Sequence, residues 1–501
     1  MSALTTTSPT TRQSRIPLLI AIAALCGGSW AACHYAAAGM TLSHWDARAH
    51  LVVARRIIDS NWPSWQQIGA VWLPLPHLLN MLPVQVDAWY RSGASAVAIS
   101  IASMAVAAWA MAAMIIRITA SRIAALTAAA LLLLNPSVLY LQSTPMTEPV
   151  LFAASFLAIH LTSAWIDRGA GTIPHGAGLA LAAACLTRYE GWPITATALV
   201  LAAIVLLRRG HPIGFVLRAS LLLAAYPLAA IALFLFNSRW TTGRWFIGTE
   251  FFVVENIEAL GRPAEAWRQL RLGLYRLSGK ALVWSAYAGL ALMALTFLRS
   301  RARASIVLMA PLCAAAALPI YAYVHGHGFR IRYDVPLVAA AAALAGAGVA
   351  LLPALLRPVA AIAIVVMAVV QAPPLDSATP IIAEALRDAR NIEERRTVTA
   401  YLQQHYDGTK IMASMGSVAH YMHDLSHAGL RMRDFLHEGN GEIWTHAFLS
   451  PRGHAGWILM EEKTAGGDTL FARSRDPRFL SGYQRVAAGG GVALYRANIK
   501  R

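Results

Sequence analysis

The sequence predicts an α-helical polytopic membrane protein, with about eleven transmembrane helices followed by a small C-terminal α/β soluble domain. Three observations predict it. Hydrophobic residues make up 57% of the 501 residues and charged residues 13%, about half the charged share of a soluble globular chain. The apolar residues gather into runs close to the roughly 20 residues that cross a bilayer as a helix. From about residue 372 the pattern changes, and charges become frequent and balanced, sixteen basic against fourteen acidic.

Along the chain, residues 1–16 form a Ser/Thr-rich tail carrying Arg12 and Arg15. The first apolar run, about 17–39, reads as an uncleaved span, because it is long and lacks a small-x-small end. Further spans are expected at about 93–116, 123–141, 148–166, 173–187, 191–207, 219–237, 281–298, 306–324, 336–353 and 358–371. "TRYEGWP" interrupts the fifth and sixth, and such a break is tolerated at membrane depth only where it faces protein or water. The loops after alternate spans, with the tail, hold twelve arginines and one acid, Asp167. This is the positive-inside pattern, and it accounts for the net charge of +17 without any nucleic acid. It places the N-terminus in the cytoplasm and, with an odd number of spans, the C-terminal part outside. The expected divisions are a cytoplasmic tail (1–16), a membrane body (17–371) and an extracytoplasmic domain (372–501). In that domain "IIAEALRDARNIEERRTVTAYLQQHY" reads as helix, and "KIMASM", "GWILMEE" and "GVALYRA" as strands. Cys26, Cys33, Cys185 and Cys313 all fall in apolar runs without metal or redox spacing, and read as buried small hydrophobes.

Chemistry concentrates in the outer loops. In "SHWDARAHLVVARRII" (43–58) the apolar positions 47, 51, 52, 54, 57 and 58 form an approximate helical stripe. An amphipathic helix lying along the membrane is expected, with Trp45, Trp62, Trp65 and Trp72 in the interfacial belt. Asp46 there is either a helix cap or a reactive carboxylate. Glu148, in "STPMTEPVLF", is costly at the start of a span unless it complements the helix dipole or binds something. Two carboxylates meeting at the outer face would hold a divalent cation or share a base role. Arg188 and Glu190 flank Tyr189, and Arg330, Arg332 and Tyr333 precede the tenth span. Such arginines either snorkel to headgroups or grip phosphate oxygens with their guanidinium forks. His44, His50, His77, His325 and His327 lie among these groups, each a packing residue or a metal ligand. His420, His423 and His427 share one helical face, expected on the surface; no cysteine or carboxylate cluster completes a zinc set. The glycine loops that cradle nucleotides, the nucleophile elbow and the H-E-x-x-H zinc helix are missing. A transporter or lipid flippase is the alternative to an enzyme. It would place ionisable groups at mid-membrane and repeat its halves, whereas here the charges sit at span ends and no repeat stands out.

These motifs resemble the membrane glycosyltransferases of the GT-C fold. The resemblance rests on an acid beside an amphipathic helix in the first outer loop ("SHWDARAHL"), a second acid in the next ("TPMTEP") and a late "RIRYDVP". By pattern, residues 17–371 are similar to the protein O-mannosyltransferases and the lipid A aminoarabinose transferases. The resemblance implies a polyprenyl-phosphate-linked sugar as donor, reached from the bilayer. It implies inverting transfer to an acceptor hydroxyl of a lipid, glycan or protein on the outer face of the plasma or inner membrane. Under it, Asp46 matches the first-loop acid, the base on the acceptor or an organiser of the site. Glu148 matches the second acid, organising acceptor or a divalent metal cation held with Asp46. Arg330 and Arg332 occupy the region that grips the donor phosphate, assisted by Arg188; Tyr333 and Glu190 are further expected substrate-binding residues. His50 and His77 complete the expected substrate-binding set. One departure stands out: many O-mannosyltransferases carry two adjacent acids in the first loop, and here Ala47 follows Asp46.

Overall fold

The computed structural model describes residues 15–247, 254–463 and 467–498; Arg12 and the rest of the tail before residue 15 lie outside them. Among the described residues, every expected span falls on helix. Eight helical segments are long and apolar enough to cross a membrane: Ile16–Ala37 (α1), Ala94–Thr119, Glu148–Asp167, Gly191–Arg208, Ile213–Thr242, Pro263–Arg299, Ala304–Val324 and Ile331–Leu351. A ninth is the pair Arg122–Leu133 and Pro136–Gln142, bent by 68°. The bend has a local cause. Pro136 has no N–H to continue the ladder, and the Asn135 side chain accepts from Ser137 N and Val138 N at 3.0 and 3.1 Å, capping a fresh helix. The other two, His175–Cys185 and Arg357–Gln371, are shorter. The expected fifth span is thus an 11-residue helix that stops before "TRYEGWP".

The innermost helix, Val335–Leu351, is buried over almost its whole length and is built mainly of Ala and Gly. Small residues let neighbouring backbones approach where lipid gives no hydrophobic drive to pack. Against it lies Pro263–Arg299. A Cβ at Gly289 would collide with the Leu344 carbonyl oxygen, and one at Gly348 would come within 2.8 Å of Gly289 Cα. Gly289→Val should therefore overpack this crossing and cost about 1–3 kcal/mol, read as a lower unfolding midpoint in detergent; an unchanged midpoint would show that the crossing can spread without loss.

The basic loops meet at one end of the bundle, where Arg209 pairs with Asp167 at 2.7 Å and bonds Ser305 Oγ at 2.7 Å. Arg117 lies 3.9 Å from the same carboxylate. The opposite end carries the C-terminal residues. Their sheet runs in the order β2-β1-β3-β5-β4, with β1 Ile411–Ala413, β2 Phe435–Leu436, β3 Trp457–Glu461, β4 Tyr483–Gly489 and β5 Val492–Ala497. β1 is parallel to β2 and β3, and β5 is antiparallel to β3 and β4. The three expected strands are β1, β3 and β5. β2 is only two residues long, and the edge strand β4 is largely open to solvent, so neither shows a clear apolar alternation in sequence. The expected helix breaks at Arg395 into Pro380–Glu394 and Arg396–His405.

The first outer loop departs most from expectation. Its helix, Trp45–Arg55 (α2), is buried from Ala47 to Arg55 and does not lie on lipid. Leu51, Val52 and Ala54 share a core with Val418, Met422 and Leu425 of the Met415–Ser426 helix. The polar face of α2 finds partners inside the protein: Arg48 pairs with Asp424 at 2.5 Å and Arg55 with Asp59 at 3.1 Å. Trp62 and Trp65 remain exposed, whereas Trp72 turns inward and its ring sits 4.1 Å from that of His50. The C-terminal histidines also depart from the expected surface position. His420 and His423 are buried, and only His427 reaches the surface. Of the cysteines, Cys185 is buried, but Cys26 and Cys33 lie exposed on α1.

Candidate functional site

Four separate turns meet at the end of the bundle beneath the sheet. His44 caps α2 and Asp46 lies in its first turn. Glu148 opens the Glu148–Asp167 helix, with Pro149 directly after it; there the free N–H groups and the helix dipole favour a carboxylate. Arg188 lies in the turn between the short helix and Gly191–Arg208. Arg332 lies in the 3₁₀ turn Ile331–Asp334 that leads into the innermost helix.

Their side chains form one alternating chain of charge. Arg332 Nη2 lies 2.6 Å from Asp46 Oδ2, and its Nε lies 3.4 Å from Glu148 Oε1. Arg188 reaches the same Glu148 oxygen at 3.0 Å and Glu190 at 2.7 Å, and donates to Thr147 Oγ1 at 3.1 Å. The sequence Asp46–Arg332–Glu148–Arg188–Glu190 is thus continuous. The last four side chains are 11% exposed or less, but Asp46 is 34% exposed. It is the open end of an otherwise buried network, and buried charges of this kind require such pairing. Burial opposes the Asp46 charge, but the Arg332 guanidinium outweighs it and holds the carboxyl well below the usual carboxylate range.

The other expected residues divide. Tyr333 is half-buried beside Arg332, whose guanidinium carbon stands 5.8 Å from its ring centre. His50 and His77 bond each other through ring nitrogens at 3.0 Å. They border a cavity of about 20 Å³ that also touches Thr147, room for about one water. Burial, reinforced by His77, pushes His50 well down, and burial with Arg56 nearby pushes His77 down to about 3, so both rings are neutral. Arg330 is not part of the network. It is half-exposed and pairs with Glu255 at 3.4 Å.

A divalent cation shared by Asp46 and Glu148 would need the space between them, and the Arg332 guanidinium contacts both carboxylates there. Among the described residues no group of three or more His, Cys, Asp or Glu is placed to hold a metal ion. In this arrangement the positive charge between the two carboxylates comes from arginine.

The sequence did not reveal what holds α2 in place. Trp45 N bonds Asp388 Oδ2 at 3.2 Å, and its indole N–H bonds Asp388 O at 2.8 Å. The indole also stacks on His420, with ring centres 5.2 Å apart. His44 Nδ1 lies 3.3 Å from Asp388, and Nε2 lies 3.8 Å from Glu384. Burial pushes the Asp388 carboxyl up to about 6. The available signal was the i, i+4 spacing of Glu384 and Asp388, which sets two acids on one face of a helix.

No family model matches the sequence, and no curated protein does. Solved structures do match. The crystal structure of ArnT from Cupriavidus metallidurans bound to undecaprenyl phosphate aligns with a TM-score of 0.57 at 12% identity, covering 96% of this chain and 98% of that one. The apo structure of the same protein aligns with a TM-score of 0.57 at 13% identity, covering 96% and 97%. At such identities the likeness is one of fold, and over nearly its whole length this chain has the GT-C fold of ArnT.

Proposed function

We propose that this chain is an integral-membrane glycosyltransferase that moves a sugar from a polyprenyl-phosphate-linked donor to an acceptor hydroxyl, with inversion. The observation that carries the reading is the continuous network from Asp46 to Glu190, open only at Asp46, in a chain with ArnT's fold. The undecaprenyl phosphate bound to one of the ArnT structures supports the class of donor. In this reading residues 17–371 carry the chemistry, and residues 372–501 hold α2 in position. The site faces the outside of the plasma or inner membrane, because the arginine-rich loops gather at the other end.

The acceptor hydroxyl oxygen attacks the anomeric carbon from the side opposite the phosphate, and its proton passes to an Asp46 carboxylate oxygen. The bond from the anomeric carbon to the phosphate oxygen breaks, and its electron pair stays on the phosphate. Asp46 loses its charge as the phosphate gains one. Arg332 therefore exchanges one anionic partner for another within the same site, and the developing charge meets a guanidinium already in place. Glu148 and Glu190 hold the two guanidinium groups in position.

The test is release of polyprenyl phosphate by the full chain in liposomes, using a panel of labelled polyprenyl-phosphate sugars and an added acceptor pool. Release from at least one donor supports the reading; lipid movement between leaflets without release from any donor would overturn it in favour of a flippase.

The pH profile supplies a second check. Asp46 must be unprotonated to act as base. With its carboxyl held low, kcat/KM should stay level as pH falls from about 6 toward 4, where an ordinary aspartate begins to protonate. Arg332→Gln removes the largest charge opposing protonation, so its acid limb should move to higher pH. Superimposable profiles for the two proteins would show that Asp46 does not set the limb.

A further inference from the structure

A larger cavity, of about 300 Å³, lies on the other side of α2 from the Asp46 network, between α2 and the Arg396–His405 and Met415–Ser426 helices. Arg48 follows Asp46 by two residues, roughly 200° around the helix, so it points away from Arg332 and into this wall. The size matches the lower end of ordinary ligand pockets, about 300–1,000 Å³.

The chemistry of the wall points to an anion. Its two acids already have cations: Asp424 pairs with Arg48 at 2.5 Å, and Glu393 with Arg396 at 2.5 Å. Arg48 and His423 are each 1% exposed, yet Arg48 Nε and His423 Nδ1 have no hydrogen-bond partner; Asp424 Oδ1 stands 3.8 Å from Nδ1, outside hydrogen-bond reach. Burying such groups unpaired is costly. His423 Nε2 lies 3.0 Å from Tyr90 O and donates to it, so Nδ1 carries the lone pair in the neutral ring. At the mouth stand two more basic groups, Arg396, 75% exposed, and His427, exposed with its ring centre 5.7 Å from that of His423.

The location points to the membrane surface. Tyr90 belongs to the helix Asp87–Ser92, which Gly93 joins directly to the span Ala94–Thr119. Leu82, Val86 and Trp89, on that same approach to the bilayer, are 67%, 45% and 49% exposed. Through the His423–Tyr90 contact the cavity wall thus leans on the segment that enters the membrane.

We infer that this cavity binds a phosphate group, carried by an anionic lipid headgroup or by a free phosphate compound, and so ties the C-terminal part of the chain to what lies at the membrane surface. Two guanidinium groups, Arg48 and Arg396, on one pocket beside a membrane are the chemistry that holds a lipid phosphate. The inference is independent of sugar transfer.

The test measures thermal unfolding of the full chain in uncharged detergent with added short-chain phosphatidylglycerol, phosphatidylcholine or inorganic phosphate. A ligand that binds only the folded state raises the midpoint. Phosphatidylglycerol should raise it in a saturable way, and phosphatidylcholine should not. Arg396→Gln combined with His427→Gln alters only exposed groups outside the Asp46 network. It should leave the ligand-free midpoint in place and weaken phosphatidylglycerol binding by about tenfold or more, the scale of losing charge-assisted donors. A variant-sensitive response to phosphatidylglycerol alone supports a lipid phosphate. An equal, variant-sensitive response to inorganic phosphate supports a free one. No response to either, or a response unchanged in the double variant, overturns the inference.

Discussion

Asp46→Asn should lower kcat for sugar transfer by about 10²–10⁴, the usual contribution of a positioned base, while the donor KM changes little. The substitution keeps the shape of the side chain and an oxygen for Arg332, which lies 2.6 Å away. It removes the negative charge and with it the capacity to take a proton, leaving Arg332 its second partner, Glu148, at 3.4 Å. Because the side chain is 34% exposed, the variant should fold, and its unfolding midpoint should stay near that of the native chain. Initial rates at saturating and limiting donor separate the two parameters. A fall confined to KM would make Asp46 a binding group, and near-native turnover would remove it as the base.

Arg332→Gln should have the largest effect on stability. The guanidinium contacts both Asp46 and Glu148, and the Glu148 side chain is fully buried. Removing one partner of a buried pair typically costs about 3–5 kcal/mol, because a charge is left uncompensated. Arg188 remains 3.0 Å from Glu148, which favours the lower end, about 3 kcal/mol. The diagnostic is the double variant Arg332→Gln/Glu148→Gln. If the cost comes from the stranded carboxylate, removing that charge should restore much of the stability, and a double-mutant cycle in denaturant should show strong coupling. Additive losses would mean that the two residues are not coupled in the way their contact suggests.

The membrane body was legible in sequence because spanning helices must satisfy their own backbone groups, which forces long apolar runs. The acids and arginines of the network were legible for a related reason: an ionisable residue at the end of a span is expensive unless it does something. Their partners were not legible. Arg330 and Arg332 sit two residues apart in one motif, and only the fold decides that one meets Asp46 and the other Glu255. The amphipathic pattern of α2 specifies a helix with an apolar face. Periodicity shows that such a face is covered, and does not show whether lipid or protein covers it. Here the cover is the Met415–Ser426 helix. The same gap explains the buried His420 and His423, whose helical spacing was visible and whose neighbours were not.

The clamp on Trp45 has a consequence for the order in which the protein is made. Asp388 and His420 lie more than 300 residues downstream of Trp45, so a ribosome completes every membrane span before it adds the groups that fix α2. Chains generally fold from the N-terminus as they are synthesised. A nascent bundle would thus sit in the bilayer with its arginines in place and its first-loop carboxylate still unanchored. Asp46 is anchored only when the segment carrying Asp388 and His420 docks, so the membrane bundle exists before its first outer loop is fixed.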